Sequence, residues 1–319
     1  IMKPPYQVTT RILEQIASVA EKIGEIKAAY LFKPPTQLRR KNRIRTIQAS
    51  LEIEGNSLSL DQVTAVLDNK KVIAPEKDII EVKNAIRAYE ILDSYNPVSL
   101  TSFLKAHGIL MNGIIENPGR IRTKSVGILK GSAVTHIAPQ GHLVKAHIKE
   151  LFDYLKKDKD LLLIKSCVFH YEIEFIHPFM DGNGRIGRLW QTVILMRYSP
   201  VFEFLPIESL IKSRQPEYYQ ILGECDNKGD STGFIEFMLQ VINESLEDLL
   251  TNQNVNLTSQ DRIAMFKDEI GKSAFTRKDY LRHFKDISTA TASRDLKLAF
   301  ESRLIDKSGD KRTASYKFK

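Results

Sequence analysis

Cysteine is nearly absent: the 319 residues hold two, Cys167 and Cys225, both inside apolar helical patterns. That argues against a disulfide framework and fits a reducing compartment, so a cytoplasmic location is expected. Neither cysteine has CxxC spacing and the histidines show no HExxH pattern, which argues against a zinc site. Long hydrophobic runs are missing too. Leu161-Leu162-Leu163-Ile164 is among the longest, far short of the roughly 20 apolar residues that span a bilayer, so no membrane partner is expected. The opening stretch IMKPPYQVTT has no apolar signal core, so secretion is not expected. No internal repeat and no low-complexity tract is found.

What is there is an ordinary globular balance, 42% hydrophobic and 27% charged residues, in a chain long enough for two or three domains. The net charge of +8 is uneven: residues 258–319 carry 15 Lys and Arg against 9 Asp and Glu, an excess of +6. A basic module at one end raises nucleic acid as a partner, against the plainer reading of a solvated basic surface.

Apolar residues recur at helical spacing through most of the chain. Ile12, Ile16, Val19, Ile23 and Ile26 predict a helix over 8–30, interrupted at Pro34-Pro35. A second helix is expected from Thr36 to Glu54, with Gly55-Asn56 as its stop. A short one opens at Ser59 or Leu60 and runs through Leu67. Pro75 starts another, carrying Ile79, Val82, Ile86, Tyr89 and Leu92 to about Tyr95. Further helices are expected over 99–112, 143–156, 160–175, 183–198, 209–226 and 231–252. Residues 120–138, RIRTKSVGILKGSAVTHIA, break the pattern: Val126, Ile128, Val134 and Ile137 around Lys130-Gly131-Ser132 predict a β-hairpin. The polar stretch Thr251–Thr258 reads as a linker. The expected fold is mainly α: a helical region over 1–95, a core over 96–252 and a small α+β domain over 258–319.

The densest chemistry is His177-Pro-Phe-Met-Asp-Gly-Asn-Gly-Arg-Ile-Gly-Arg188. Apolar Leu189, Val193, Ile194 and Met196 begin just after it, so this is a loop feeding a helix. The peptides of Gly182, Asn183 and Gly184 would lie at the helix N-terminus, where unpaired N–H groups and the positive dipole end favour a phosphate. Glycine lets the backbone approach the anion closely. Arg185 and Arg188, at i and i+3, share one face and can clamp two phosphates of a chain. Asp181 is an oxygen ligand suited to Mg²⁺. His177, just before the loop, can take a proton near neutral pH. Together these parts describe attack of a hydroxyl on a nucleotide phosphorus.

HPFMDGNGRIGR resembles the signature of Fic proteins, HPFx[D/E]GNGRxxR, at every fixed position, and Glu174 and Ile176 are similar to that family's approach to it. The resemblance covers roughly residues 36–250. It implies a Fic-type helical bundle with a β-hairpin flap that transfers AMP from ATP to a protein hydroxyl and releases pyrophosphate. By resemblance, His177 deprotonates the target Ser, Thr or Tyr, and Asp181 holds Mg²⁺ between the α- and β-phosphates. Gly182, Asn183 and Gly184 form the anion hole, Arg185 and Arg188 hold the β- and γ-phosphates, and Ile186 and Gly187 belong to the same ATP-binding stretch. Phe179 anchors the loop in the core. Residues 120–138 correspond to the flap, which lines up a target segment by strand pairing. Tyr218-Tyr219 and Asn227 fall where family members contact adenine and ribose, with Tyr219 favoured. Relatives are often dimers, so a homodimer stays open.

Residues 50–56, SLEIEGN, match the family's inhibitory pattern [S/T]xxxE[G/N] through Ser50, Glu54 and Gly55, in a position that resembles the class II arrangement. The resemblance implies that Glu54 pairs with Arg188 and withholds it from the γ-phosphate. The plainer alternative is a surface glutamate beside a helix stop. Glu52, two residues away, faces roughly the opposite side of the helix and is not expected to substitute.

Residues 260–319 read as three helices and a hairpin. Ile263, Phe266 and Ile270 mark the first, Thr276 caps the second with Tyr280, Leu281 and Phe284, and Ser288 starts the third with Ala292, Leu296, Ala299 and Phe300 facing inward. Leu304-Ile305 and Tyr316-Lys-Phe318 suggest two strands. This resembles a winged helix-turn-helix whose Thr291, Arg294 and Lys297 would meet DNA, with protein contact or dimerisation as the alternative. Three functional readings result: an autoinhibited protein adenylyltransferase that also modifies itself; the same fold removing AMP or transferring another nucleotide or phosphate-containing group; and an ATP-sensing DNA-binding regulator. The intact His177 argues against the last, since sensing needs no base.

Overall fold

The structure, a computed structural model, describes residues 4–28, 34, 36–130, 133–251, 258–284, 287–310 and 314–319, without the side chains of residues 37, 127–130 and 133–137. The expected linker at 252–257, the hairpin turn Gly131-Ser132 and Pro35 lie outside the described residues. The chain divides into two compact units, residues 1–32 with 40–251 and residues 33–39 with 252–319.

In the first unit, α1 (Thr10–Ala28) buries Ile12, Val19, Ile23 and Ile26 along one face. Helix α2 (Thr36–Ile53), of this unit from Arg40 onward, ends in a Schellman arrangement: Asn56 N–H donates to Leu51 O at 3.1 Å and Gly55 N–H to Glu52 O at 3.0 Å, with Gly55 at φ 90°. Only glycine adopts that φ without a Cβ penalty, and the motif leaves Glu54 in the turn just after the last helical residue. A Ser59–Gln62 capping box opens α3 (Leu60–Leu67). Helix α4 (Glu76–Glu90) stops short of Tyr95 because Ile91 leaves the helical region and Leu92–Ser94 tightens into a 3₁₀ turn.

Helix α5 (Leu100–Leu110) leads into an irregular stretch and then β1 (Gly127–Lys130) and β2 (Ala133–Ile137). The two strands pair antiparallel, Gly127 opposite Ile137 and Lys130 opposite Ala133. The hairpin is therefore shorter than expected, with Val126 and the residues before it outside the strands. Helices α6 (Gly141–Lys157), α7 (Leu162–Ile176) and α8 (Asn183–Leu195) follow.

The helix expected over 209–226 is two, α9 (Ile207–Ser213) and α10 (Gln215–Lys228). Pro216 explains the break: it has no N–H for the carbonyl four residues back, and its ring would crowd that carbonyl in a continuous helix, so it serves as a first-turn residue of a new helix. Helix α11 (Thr232–Thr251) completes the unit and packs on α1 and α7. Helix α8 is buried along its whole length. The core around it is aromatic: the Phe103 ring lies 5.1 Å from Trp190, 5.5 Å from Phe152 and 5.7 Å from Phe179.

The second unit holds α12 (Ser259–Ile270), β3 (Phe275–Thr276), α13 (Arg277–His283), α14 (Thr289–Glu301), β4 (Ile305–Ser308) and β5 (Ser315–Phe318). The sheet order is β3-β5-β4, with three helices beside it in the same unit. Strand β3 is two residues long, too short to leave a periodic signal in the sequence. Phe300, expected to face inward, is 48% exposed. It sits one residue past Ala299, about 100° around the helix from the buried row Ala292, Leu296 and Ala299. Arg262 and Asp295 form an ion pair at 2.6 Å inside this unit. Cys167 and Cys225 are both buried and free. Among the described residues no helix is long and apolar enough to cross a membrane.

Candidate active site

The site begins where α7 ends. His177 is the C-cap residue, in the left-handed region at φ 51° and ψ 61°. That bend swings the chain away from the helix axis into Pro178 and the glycine-rich loop. His177 Nδ1 lies 3.4 Å from Glu174 O; in the tautomer that donates there, Nε2 is the basic nitrogen.

Two devices hold the loop. Phe179 is fully buried, its ring stacked on His107 at 3.5 Å and 7°. Asn183 closes the turn from within, its Oδ1 accepting from Phe179 N at 2.8 Å and its Nδ2 donating to Phe179 O at 3.0 Å. His107 accepts Gly119 N–H at Nδ1 (2.9 Å), so Nε2 carries the proton and donates to Asp181 O at 2.9 Å. Burial lowers the His107 pKa to about 4, which keeps this arrangement neutral. Gly182 is required twice over: its φ is 84°, and a Cβ there would lie 2.5 Å from Met111 Sδ.

No side chain caps the N-terminus of α8. Ile186 N–H donates to Gly182 O at 3.0 Å, so the helical ladder starts there and leaves the N–H groups of Asn183, Gly184 and Arg185 without intrahelical partners. Gly182 N–H instead meets Asp181 Oδ1 at 2.6 Å. Ile186 is wholly buried, and Gly187 faces α7, where a Cβ would lie 3.1 Å from His170 Cδ2.

Both arginines are already partnered. Arg185 donates to Glu81 Oε1 at 2.8 Å and to Asp181 Oδ1 at 2.9 Å. Arg188 donates to Glu54 Oε1 at 2.7 Å, to Ser50 O at 2.9 Å and, through Nε, to Ser50 Oγ at 3.2 Å. Burial opposes the Arg188 charge, but Glu54, Tyr218 and Glu174 outweigh it and hold its pKa above the usual value. A Cβ on Gly184 would lie 2.3 Å from Glu54 Oε1, so the Glu54 carboxylate sits against the first turn of α8, where an anion would bind. The turn after Glu54 reaches the other arginine as well, because Asn56 Nδ2 donates to Glu81 Oε2 at 2.8 Å. Glu52 points elsewhere, with Lys212 at 3.6 Å.

Tyr218 is buried, its hydroxyl 3.1 Å from both His170 Nε2 and Glu174 Oε1. Tyr219 is 37% exposed and Asn227 is exposed. Burial pushes Glu174 upward, yet the hydrogen bond and charge of His170, then Arg188 and His177, hold its carboxyl below the usual range. Sequence reasoning missed His107, Glu81 and Arg122. His107 shares the spacing of Phe103, Ala106 and Leu110 and reads as core; the side chain of Glu81 is 7% exposed and Arg122 is 4% exposed, burials no local pattern announces.

Asp181 fits an ion that arrives with its own oxygen ligands. Its side chain is 44% exposed, and of its two oxygens only Oδ1 is engaged by Arg185 and Gly182. Among the described residues no cluster of three His, Cys, Asp or Glu accompanies it, so phosphate and water oxygens would fill most positions, as Mg²⁺ prefers.

Fold and site define a helical bundle built around a glycine-rich, anion-facing loop. The sequence model of the Fic/DOC family matches residues 97–195. The crystal structure of a Fic family protein from Desulfovibrio desulfuricans G20 is similar over 100% of this chain and 98% of that one, with 37% identity and a TM-score of 0.76. The chain belongs to the Fic family. Protein adenylyltransferase Fic of Nematostella vectensis is 26% identical over 82% of this chain and 61% of its own length. Protein adenylyltransferase fic-1 of Caenorhabditis elegans is 31% identical over 66% of this chain and 42% of its own length. The chain thus spans about half the length of the curated relatives it matches.

Proposed function

We propose that this protein is an autoinhibited adenylyltransferase that moves AMP from ATP to hydroxyl side chains of proteins, itself included. The observation that carries the reading is the Glu54–Arg188 contact at 2.7 Å, made by the last arginine of an otherwise complete phosphate loop. The curated relatives' shared name supports the reaction class. In the reaction, His177 Nε2 takes the proton of a target hydroxyl, and the hydroxyl oxygen bonds to the α-phosphorus of ATP. The bond from that phosphorus to the β-bridging oxygen breaks, and pyrophosphate leaves. The N–H groups at the start of α8 face the charge that develops on the phosphoryl oxygens. Arg185 and Arg188 hold the leaving phosphates once they exchange their carboxylate partners for them. Mg²⁺, held by Asp181, supplies charge neutralisation when bound. Tyr219, exposed on α10, serves the adenine, and the paired strands β1 and β2 present a target backbone.

The domain scheme is a helical region with the inhibitory turn over 1–95, a catalytic core over 96–252 and a winged helix over 258–319. In that last unit Arg294 and Lys297 are exposed on α14, and DNA contact there is tested by a gel shift at physiological salt. Self-association, and with it a homodimer, is tested by light scattering.

The deciding experiment incubates the Glu54→Gly protein with labelled ATP, Mg²⁺ and cell lysate and identifies modified residues by mass spectrometry. AMP on Ser, Thr or Tyr is expected. A different adduct, or loss of AMP from a pre-modified protein, replaces this reading with another transfer or with AMP removal. A folded protein that labels nothing overturns it.

A further inference from the structure

Arg122 lies outside the signature and is 4% exposed, yet among the described residues no carboxylate pairs with it. Its guanidinium is surrounded by main-chain carbonyls. Nε donates to His177 O at 2.6 Å, Nη1 to Lys124 O at 2.6 Å, and Nη2 to Pro139 O at 2.8 Å and Ile176 O at 3.1 Å. Its own N–H donates to Pro178 O at 2.9 Å. Burial lowers the Arg122 pKa, a cost partly offset by the negative end of α7, whose final carbonyls it caps.

The identity of those carbonyls matters. Ile176, His177 and Pro178 form the left-handed bend that carries the base. Lys124 and Pro139 are the two legs of the hairpin, one before β1 and one after β2. The legs are packed against each other without room to spare: a Cβ on Gly141 would lie 2.0 Å from Thr123 O. One planar fork therefore ties the base of the hairpin to the backbone of the catalytic histidine.

We propose that Arg122 is a positioning residue that couples the hairpin to His177, setting where a target hydroxyl is presented relative to where the base waits. This rests on the adenylyltransferase reading for its consequence, but the coupling itself is a property of the backbone. Lysine cannot reproduce it, because one ammonium cannot reach both hairpin legs and the helix end in fixed geometry.

The test compares Arg122→Lys with its parent, both carrying Glu54→Gly. Target modification is expected to fall on the order of 10²-fold, the size of effect that a misplacement of about 1 Å produces. ATP affinity is expected to stay near the parent's, since Arg122 touches none of Asn183 to Arg188. Hydrogen exchange should quicken together in the paired strands and in residues 177–179, roughly tenfold or more for a lost charge-assisted bond, while α8 keeps its protection. A second variant, Gly141→Ala, wedges the hairpin legs without touching Arg122 or His177, and it should also quicken exchange at 177–179.

Exchange that changes at only one of the two segments overturns the coupling. So does a loss of transfer that merely tracks ATP affinity and melting temperature. If Arg122→Lys does not fold, an unchanged 177–179 in Gly141→Ala overturns it instead. A Glu54→Gly parent that transfers nothing removes the adenylyltransferase reading, and the exchange comparison still decides the coupling.

Discussion

Arg188 and Glu54 are 134 positions apart in the chain, yet Nη2 of one lies 2.7 Å from Oε1 of the other. The arginine side chain is 1% exposed and the glutamate 27%, so the pair is dry on one side and reachable from the other. Ser50, one helical turn before Glu54, supplies two further acceptors from the same direction. The end of α2 thus holds the arginine as a three-point clamp rather than a single ion pair.

Release should therefore come in two sizes. Glu54→Gly is expected to raise the initial rate of AMP transfer on the order of 5–150-fold, the range of a 1–3 kcal/mol coupling. Ser50→Ala removes only a hydroxyl and leaves the Ser50 carbonyl in place, so a severalfold rise is expected, about 0.5–1.5 kcal/mol. The two should be non-additive in a double-mutant cycle. Equal effects of Ser50→Ala in both backgrounds would show that the serine and the glutamate do not act on one arginine.

His177→Ala in the Glu54→Gly background should lower transfer by at least about 10²–10⁴-fold, the value of a positioned base. Histidine already bears the left-handed backbone with its own Cβ, and alanine inherits it, so Tm and ATP affinity are expected to stay near the parent's. Retained transfer at unchanged rate, followed by mass spectrometry, would remove His177 as the base.

Asp181→Asn keeps an oxygen for Gly182 N–H and leaves Arg185 its bond to Glu81. The loop should hold its shape while the Mg²⁺ concentration for half-maximal transfer rises roughly tenfold or more. An unchanged Mg²⁺ titration would assign the ion to other ligands.

Glu208 predicts a pH effect on stability. Burial pushes its carboxyl up to about 7 against the lowering effects of Tyr89, Arg188 and Thr46, with the Tyr89 hydroxyl at 3.0 Å. The folded state holds this proton more tightly than the unfolded state. Its contribution is therefore fully present in the acid range, falls as pH rises through the ordinary carboxylate range towards 7, and is flat above. Glu208→Gln cannot titrate, so the stability of wild type relative to the variant should drop between pH 5 and 7.5, on the order of 2–3 kcal/mol at about 1.4 kcal/mol per pH unit. Parallel curves from denaturant melts at each pH would contradict the buried, protonated state.

Local order was legible in the residues because it is written locally. Ser59 with Gln62 opens α3, Gly55 stops α2, and the apolar row of Ile12, Val19, Ile23 and Ile26 marks the buried side of α1. The loop residues His177, Asp181, Gly182 to Arg185 and Arg188 were equally plain as a motif, since they stand together in one short stretch of the sequence. Where the reading erred, the competing signals were also local but weak: Pro216 restarting a helix, a two-residue strand at Phe275, and Phe300 lying just outside the buried row.

The sequence by itself thus determined the helices, the hairpin and the glycine-rich loop, because propensity, capping and glycine geometry act over a few residues. Only the tertiary structure decided that Glu81 meets Arg185, that His107 holds Asp181, that Tyr218 rather than Tyr219 is buried, and that Arg122 ties hairpin to histidine. Those are polar contacts between distant segments, and in each the burial of one group is tolerable only because a remote chain supplies the partner.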